Sequence, residues 1–351
     1  MKRIYFAFPA LVFLGCLHSP QAIEEPGTDI EGFIMFFEDY EELCPYFAHK
    51  DLNWKEMGEV YYPLAARCET QDELLEVITE MLTELQDSAI YLYKTDEYGE
   101  IEETVYPYIR DYETNYDMSV LVEQYLELNG WAGWNEGYSH GFGWCDPAIL
   151  PYAFLDSIVG YDFLSAPNSL DPFIAECIEL DVTAIILDIR MNPHTTVLSG
   201  GGHQLMGRFA AKSYPGAIYR SRSGPEYNQY TDIRPAVYPA GPLQYTGTVI
   251  LLLGENCNRD SESMTANFIN FPNVVLVGDT TRGSVSRMSD VTIADDWHCK
   301  VVCTTTLTYD KFWIEGAGIP PDIYVEATEA DFAAGVDPVL DYAIEMLEEY
   351  K

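Results

Sequence analysis

The chain has 351 residues, 48% of them hydrophobic, and carries 57 acidic against 19 basic side chains for a formal net charge of −38. That length and apolar content fit a globular chain with a real core, as one large domain or two modest ones, and not a disordered polymer. A surface so acidic repels nucleic-acid phosphates and anionic membrane, so neither is expected as a partner; its simplest reading is a well-solvated surface. No D-x-[DN]-x-[DN]-G loop is present, so the carboxylates give no calcium signature, and no cofactor is expected.

In chain order, residues 1–16 come first. Two basic residues, Lys2 and Arg3, precede an apolar run of about a dozen residues, the pattern of an export signal too short to be a permanent membrane span. It ends in Leu14-Gly15-Cys16, a lipoprotein-like box in which Cys16 is the candidate lipid acceptor, with plain secretion as the alternative because bulky Phe13 and Leu14 depart from the usual box. Membrane contact is expected only through that anchor. Residues 17–30 are polar with Pro and Gly and read as a tether. The next unit, 31–91, has helical periodicity. Its clearest element opens on Thr70-Gln71-Asp72-Glu73, a capping box followed by Leu74, Ile78, Met81 and Leu85 at helical spacing. Cys44 and Cys68 flank this region, and export permits disulfides, so they form a reasonable pair.

Residues 92–146 are acidic and Tyr-rich, then Gly- and Trp-rich, and read as an irregular or β-hairpin insertion whose aromatics serve packing before carbohydrate binding. From 147 to 330 the grammar is α/β. Strand-like runs at 154–159, 184–189, 249–253, 274–277 and 300–306 alternate with helical stretches near 171–180, 200–212 and 261–270. This fits a mostly parallel sheet covered by helices. The last unit, 331–351, is a helix starting at Asp337-Pro338, an N-cap followed by a first-turn proline, with Val339, Leu340, Ala343, Ile344 and Leu347 as its apolar stripe.

Seven strings then line up in order: ELQDSAIYL (84–92), ILPYAFLDSIVGY (149–161), AIILDIRMNP (184–193), YRSRSGPEYNQY (219–230), LLLGENCNRDSESMTANF (251–268), FPNVVLVGDTTRG (271–283) and EGAGIPPDIYV (315–325). Together they resemble the C-terminal-processing, or tail-specific, serine peptidases, relatives of the tricorn core and of retinoid-binding modules, in the exported form without a PDZ insert. The resemblance covers most of 33–325. It implies an α/β fold with a crotonase-like ββα core (ClpP/crotonase-like) behind an N-terminal helical domain.

The resemblance also locates catalytic positions, and several hold the wrong chemistry. The family's nucleophilic serine precedes a glutamate by three residues at the start of a helix, where backbone N–H groups favour an oxyanion. Glu262 takes the glutamate position, which puts Arg259 at the nucleophile's, and a guanidinium cannot attack a carbonyl. The histidine base of one branch falls on Ala89, and the lysine base of the other on Ser284. The Asn-x-Gly-Gly turn that supplies an oxyanion amide has His194 and Thr195 in place of its glycines. Only the late glutamate is kept, as Glu315. Scaffold-type residues persist: Asp188, Arg190, Asn192, Gly224, Pro225, Gly278, Asp279, Gly318, Ile319, Pro321 and Asp322.

Two readings follow. In the first, the chain is a pseudo-peptidase that binds a peptide or a protein C-terminus through Arg259, Glu262, His194, Thr195 and Glu315; the bland version has Arg259 paired with Asp260, Glu262 or Glu315. In the second, the site is rearranged, with Ser261, or else Ser263, activated by His194, His203 or His298, since a triad is defined by geometry and not chain order. Ordinary helix-start serines are the commoner outcome. His298 with Cys299 and His194 with His203 lack ligand spacing, so no metal site is expected.

Overall fold

A computed structural model of the chain describes residues 30–110, 115–130, 142–155, 165–190, 201–294 and 296–350. The export signal with Cys16, the tether before Ile30, the run 131–141 and the turn holding Asn192, His194 and Thr195 lie outside the described residues.

Three helices come first: α1 (Ile30–Leu43), α2 (Trp54–Ala65) and α3 (Gln71–Thr83). The cap of α3 forms as its sequence requires, with Thr70 Oγ1 accepting the Glu73 N–H at 3.3 Å. The Glu73 carboxylate reaches one residue further back than a strict capping box, to the Glu69 N–H at 2.7 Å. Next come β1 (Tyr91–Thr95), β2 (Ile101–Val105), a short helical turn α4 (Met118–Val120), β3 (Phe142–Trp144), β4 (Tyr152–Leu155), α5 (Ser165–Glu179), β5 (Ala184–Asp188) and α6 (Gly201–Gly207). The rest comprises β6 (Tyr214–Pro215), β7 (Ile218–Arg222), β8 (Tyr230–Ile233), β9 (Ala236–Val237), β10 (Thr248–Leu253), α7 (Asp260–Phe268), β11 (Val274–Gly278), β12 (Arg287–Thr292), β13 (Trp297–Leu307), β14 (Ile323–Tyr324), α8 (Glu329–Ala333) and α9 (Pro338–Glu349).

The main sheet runs β14-β11-β10-β5-β4-β3 and is parallel except where β3 joins β4. Its central strands, AIILD and TVILLL, are apolar throughout because both faces are covered. Alternation divides them. Ile185, Leu187, Val249, Leu251 and Leu253 face one core with Phe173, Phe209 and Phe268 from α5, the end of α6 and α7. Ile186, Ile250 and Leu252 face another with Val339, Leu340 and Ala343 of α9. Each such side chain removed from water contributes about 1.5–3 kcal/mol.

The sequence pattern predicts one mostly parallel sheet, and among the described residues there are two larger sheets. β13 belongs to a second, antiparallel sheet ordered β2-β1-β13-β7-β8, with β12 also pairing β13. Tyr91 lies opposite Lys300 and Asp290 opposite Lys300 on the other side, pairings that no local pattern announces. This sheet packs on α1–α3 through Phe33, Phe36, Ile78, Met81, Cys299 and Val301. The stretch 92–146 is therefore shared out: β1 and β2 form the hairpin of this sheet, while β3 is an edge of the other. Cys44 is a buried free thiol, so it forms no bridge to Cys68; Cys68 Sγ donates to the Leu64 carbonyl at 3.5 Å, and burial pushes the Cys44 thiol up. The expected disulfide is absent because each sulfur is packed separately into the helical core.

At the end of β5 the retained Asp188 and Arg190 show their purpose. Arg190 is fully buried, with its guanidinium between Asp188 (2.7 Å) and Asp337 (2.9 Å), and its Nη1 also donates to the Asn115 carbonyl. Asp337 in turn caps α9 by accepting the Leu340 N–H. One cation thus joins the main sheet to the last helix.

Candidate functional site

β10 delivers the chain into 254–259, and α7 begins immediately after. Arg259 stands at the N-cap of α7 with φ 42° and ψ −97°, a backbone region that side chains rarely occupy and that costs on the order of 1–3 kcal/mol. Two hydrogen bonds fix it there: its N–H donates to the Ser284 carbonyl at 2.9 Å, and its carbonyl accepts the Ser263 N–H at 2.8 Å. Strained strand-to-helix turns of this kind project a side chain outward, and the one projected here is a guanidinium.

It lines a cavity of about 330 Å³ together with Ser88, Ala89, Tyr91, Tyr106, Met288 and Lys300. Sequence positions 89 and 259, assigned separately to a base and a nucleophile, therefore meet at one cavity. Ser284 joins them through its backbone and is itself buried. Ala89 is held by Asp87, whose carboxylate accepts the Ala89 N–H at 2.9 Å and the Tyr46 hydroxyl at 2.5 Å. The described lining holds two cations and no carboxylate or histidine. Lys300 is neutralised by Asp290 at 2.6 Å. Arg259 forms no ion pair among the described residues, so its expected pairing with Asp260, Glu262 or Glu315 is not made.

Glu262 and Glu315, expected to contact a ligand, are occupied elsewhere. Glu262 is fully buried and accepts the Thr281 hydroxyl (2.5 Å), the Gly283 N–H (2.5 Å) and the Ser284 N–H (2.8 Å). Glu315 is buried too, accepting the Val285 N–H (3.2 Å), the Ser286 N–H (2.9 Å) and the Ser286 hydroxyl. Neither lines the Arg259 cavity. Glu315 instead borders a separate cavity of about 440 Å³ with His49, Lys50 and Gly316. Loss of solvation raises the Glu262 carboxyl to about 7 against its three donors, and raises Glu315, helped by the negative Asp87, to about 8.

The described hydrogen bonds of the two serines of α7 run to Asn258 and Tyr219 and not to a histidine. Ser261 is completely buried, and its hydroxyl donates to the Asn258 carbonyl at 2.8 Å. Ser263 Oγ is 3.3 Å from the Tyr219 hydroxyl. His298 lies against Thr95 and Thr292, each at 3.4 Å, and His203 sits partly buried on α6. His194 is outside the described residues. Cys299 is buried while His298 is not, so the pair points to opposite faces of β13. Among the described residues no group of three or more histidine, cysteine or carboxylate side chains is placed to hold a metal.

Tyr91, Tyr106, Met288 and Lys300 were not found from sequence. Tyr91 and Lys300 meet through the β1–β13 pairing across about 200 residues, and Met288 joins them from β12 beside β13.

Two family models match the chain: peptidase family S41 over residues 157–325, and the tricorn protease C1 domain over residues 35–83. Solved structures similar to it include a protein of Parabacteroides merdae solved as a candidate peptidase, at 21% identity, covering 92% of this chain and 97% of that one, with TM-score 0.73. Mature CPAF complexed with lactacystin is 9% identical, with 91% and 97% of the two chains covered and TM-score 0.61. The photosystem II D1 C-terminal processing protease is 11% identical, with 85% and 93% covered and TM-score 0.53. These structural likenesses speak to the fold. No curated protein matches the chain.

Proposed function

The chain belongs to peptidase family S41, and from that premise we propose that it is an exported, lipid-anchored member that binds a peptide or protein carboxylate without cleaving it. The observation that carries this reading is Arg259, a cation with no ion-pair partner among the described residues, set by a strained backbone into a cavity whose described lining has no carboxylate. In a chain of net charge −38, a cation left unpaired beside an apolar and aromatic wall favours an anionic group. Arg259 offers the planar fork that matches a carboxylate, while Tyr91, Tyr106 and Met288 supply the apolar contact.

Hydrolysis lacks its parts. The nucleophile position is an arginine, the base positions are Ala89 and Ser284, and Ser261 has no surface from which to meet a substrate. Export and the lipid anchor rest on the leader pattern ending at Cys16; no helix among the described residues is long and apolar enough to cross a membrane. A fluorophosphonate probe, applied beside an active relative, tests the absence of chemistry. The relative is expected to label stoichiometrically and this chain not at all. Stoichiometric labelling at Ser261 or Ser263 would overturn the reading.

A further inference from the structure

Four consecutive backbone N–H groups, Gly283 through Ser286, end on just two side chains, Glu262 and Glu315. The hydroxyls of Thr281 and Ser286 join them. Gly283 allows the turn: it has φ +76°, and a Cβ there would come within 2.7 Å of the Gly318 nitrogen. The next residue, Ser284, passes the constraint on, because its carbonyl accepts the Arg259 N–H. Arg259 occupies a backbone conformation it would not hold unaided, so whatever holds Ser284 also holds the guanidinium in the cavity.

We infer that Glu262 and Glu315 are positioning residues for Arg259, acting through the 281–286 segment as a two-carboxylate clamp. The inference rests on reading the cavity as a carboxylate site and names how that site is controlled. Each clamp carboxylate is strongest as an acceptor when ionised, since charge-assisted hydrogen bonds are about twice as strong as neutral ones. A proton on Glu262 weakens its three bonds together and frees Ser284. Among the described residues neither carboxylate has an ion pair. Around Glu262 stand Arg282, whose guanidinium donates to the Glu255 carbonyl and Asn256 Oδ1, and the Cys257 thiol. Around Glu315 stand Asp87, Lys50 and His49, with Lys50 donating to the Leu85 carbonyl and lying 3.9 Å from Asp87.

Burial raises Glu262 to about 7, and burial with the negative charges of Asp87 and Glu262 raises Glu315 to about 8, so both protonations fall near neutrality. Glu262→Gln and Glu315→Gln identify which change of the cavity between pH 6 and 9 belongs to the clamp, and His298→Gln controls for the neighbouring histidine on β13.

The test uses the protein labelled with 15N-arginine, with the Arg259 Nε–H resonance assigned from its loss in Arg259→Lys. The resonance is expected to move with a midpoint near pH 7. Glu262→Gln should abolish the step, and Glu315→Gln should shift its midpoint downward by removing the second buried charge. Thr281→Val, which deletes one donor and keeps both carboxylates, should displace the resonance at every pH and serves if a glutamate variant does not fold. A resonance flat from pH 6 to 9 while the Gly283 amide titrates would overturn the clamp, as would an unchanged step in Glu262→Gln. A short apolar peptide with a free C-terminal carboxylate, titrated in parallel, should bind roughly fivefold or more tightly at pH 8 than at pH 6. If the resonance responds and that peptide does not bind at either pH, the clamp stands and the carboxylate-site reading fails.

Discussion

Two buried charge clusters lie at the ends of neighbouring strands, and they are built on opposite plans. At the end of β5, the buried Arg190 cation is held in direct ion pairs between two carboxylates, Asp188 and Asp337. Beyond the end of β10, Glu262 and Glu315 are buried on backbone and hydroxyl donors, with no ion pair among the described residues, and Arg259 faces a cavity with no carboxylate in its described lining. The first cluster spends its charges on joining the sheet to α9. The second leaves charge uncompensated, which costs stability but keeps a cation available to a ligand and two carboxylates available to protons.

The comparison is tested most severely at Arg190. Arg190→Met should leave two buried carboxylates facing each other and cost about 3–5 kcal/mol, read by urea denaturation or as loss of soluble protein. A loss no larger than that of a surface substitution would show the first cluster to be decorative.

The second cluster should reveal itself by pH. Glu262 and Glu315 have folded-state values above the ordinary glutamate range, so the folded chain holds their protons when the unfolded chain has already released them. Their contribution to stability is complete below about pH 4.3 and is lost as pH rises through about 7 for Glu262 and about 8 for Glu315. Stability measured by denaturation should fall across that window by roughly 3–4 kcal/mol for Glu262 and roughly 5 kcal/mol for Glu315, and Glu262→Gln should flatten the lower part of the decline. A stability constant from pH 5 to 8 would break the contrast between the clusters.

Smaller effects sharpen it. Ser261→Ala removes one buried hydrogen bond to Asn258 and should cost about 1 kcal/mol without altering probe labelling or peptide binding. Arg259→Ala should change stability by less than about 0.5 kcal/mol, because the side chain makes no ion pair among the described residues.

What the sequence revealed followed the range of the interactions. The cap of α3, the Asp337-Pro338 start of α9 and the apolar runs of β5 and β10 are local, and each lies where its residues place it. The junction at Arg259 was legible because strand, turn and helix are consecutive. The antiparallel sheet was not, since β1 finds its partner in β13 across about 200 residues, and with it went Lys300, Tyr91 and Met288 as cavity residues. The motif gives Glu262 as a candidate ligand contact, and its hydrogen bonds run instead from Thr281, Gly283 and Ser284, a set of partners no local pattern announces. The Cys44–Cys68 pairing failed for the same reason, because proximity in sequence says little about where two sulfurs pack.

The central claim is that an arginine standing at a nucleophile's position has made the cavity a carboxylate receptor. The most direct measurement is calorimetric titration of a short apolar peptide, as free acid and as C-terminal amide, into the wild-type chain and Arg259→Ala at pH 8, with the peptide recovered and weighed by mass spectrometry. The account predicts intact peptide, binding of the acid over the amide, and a loss of at least tenfold in affinity in Arg259→Ala, about 1.4 kcal/mol. Equal affinity of the two proteins for the free acid, or cleavage of the peptide by the wild-type chain, would contradict it.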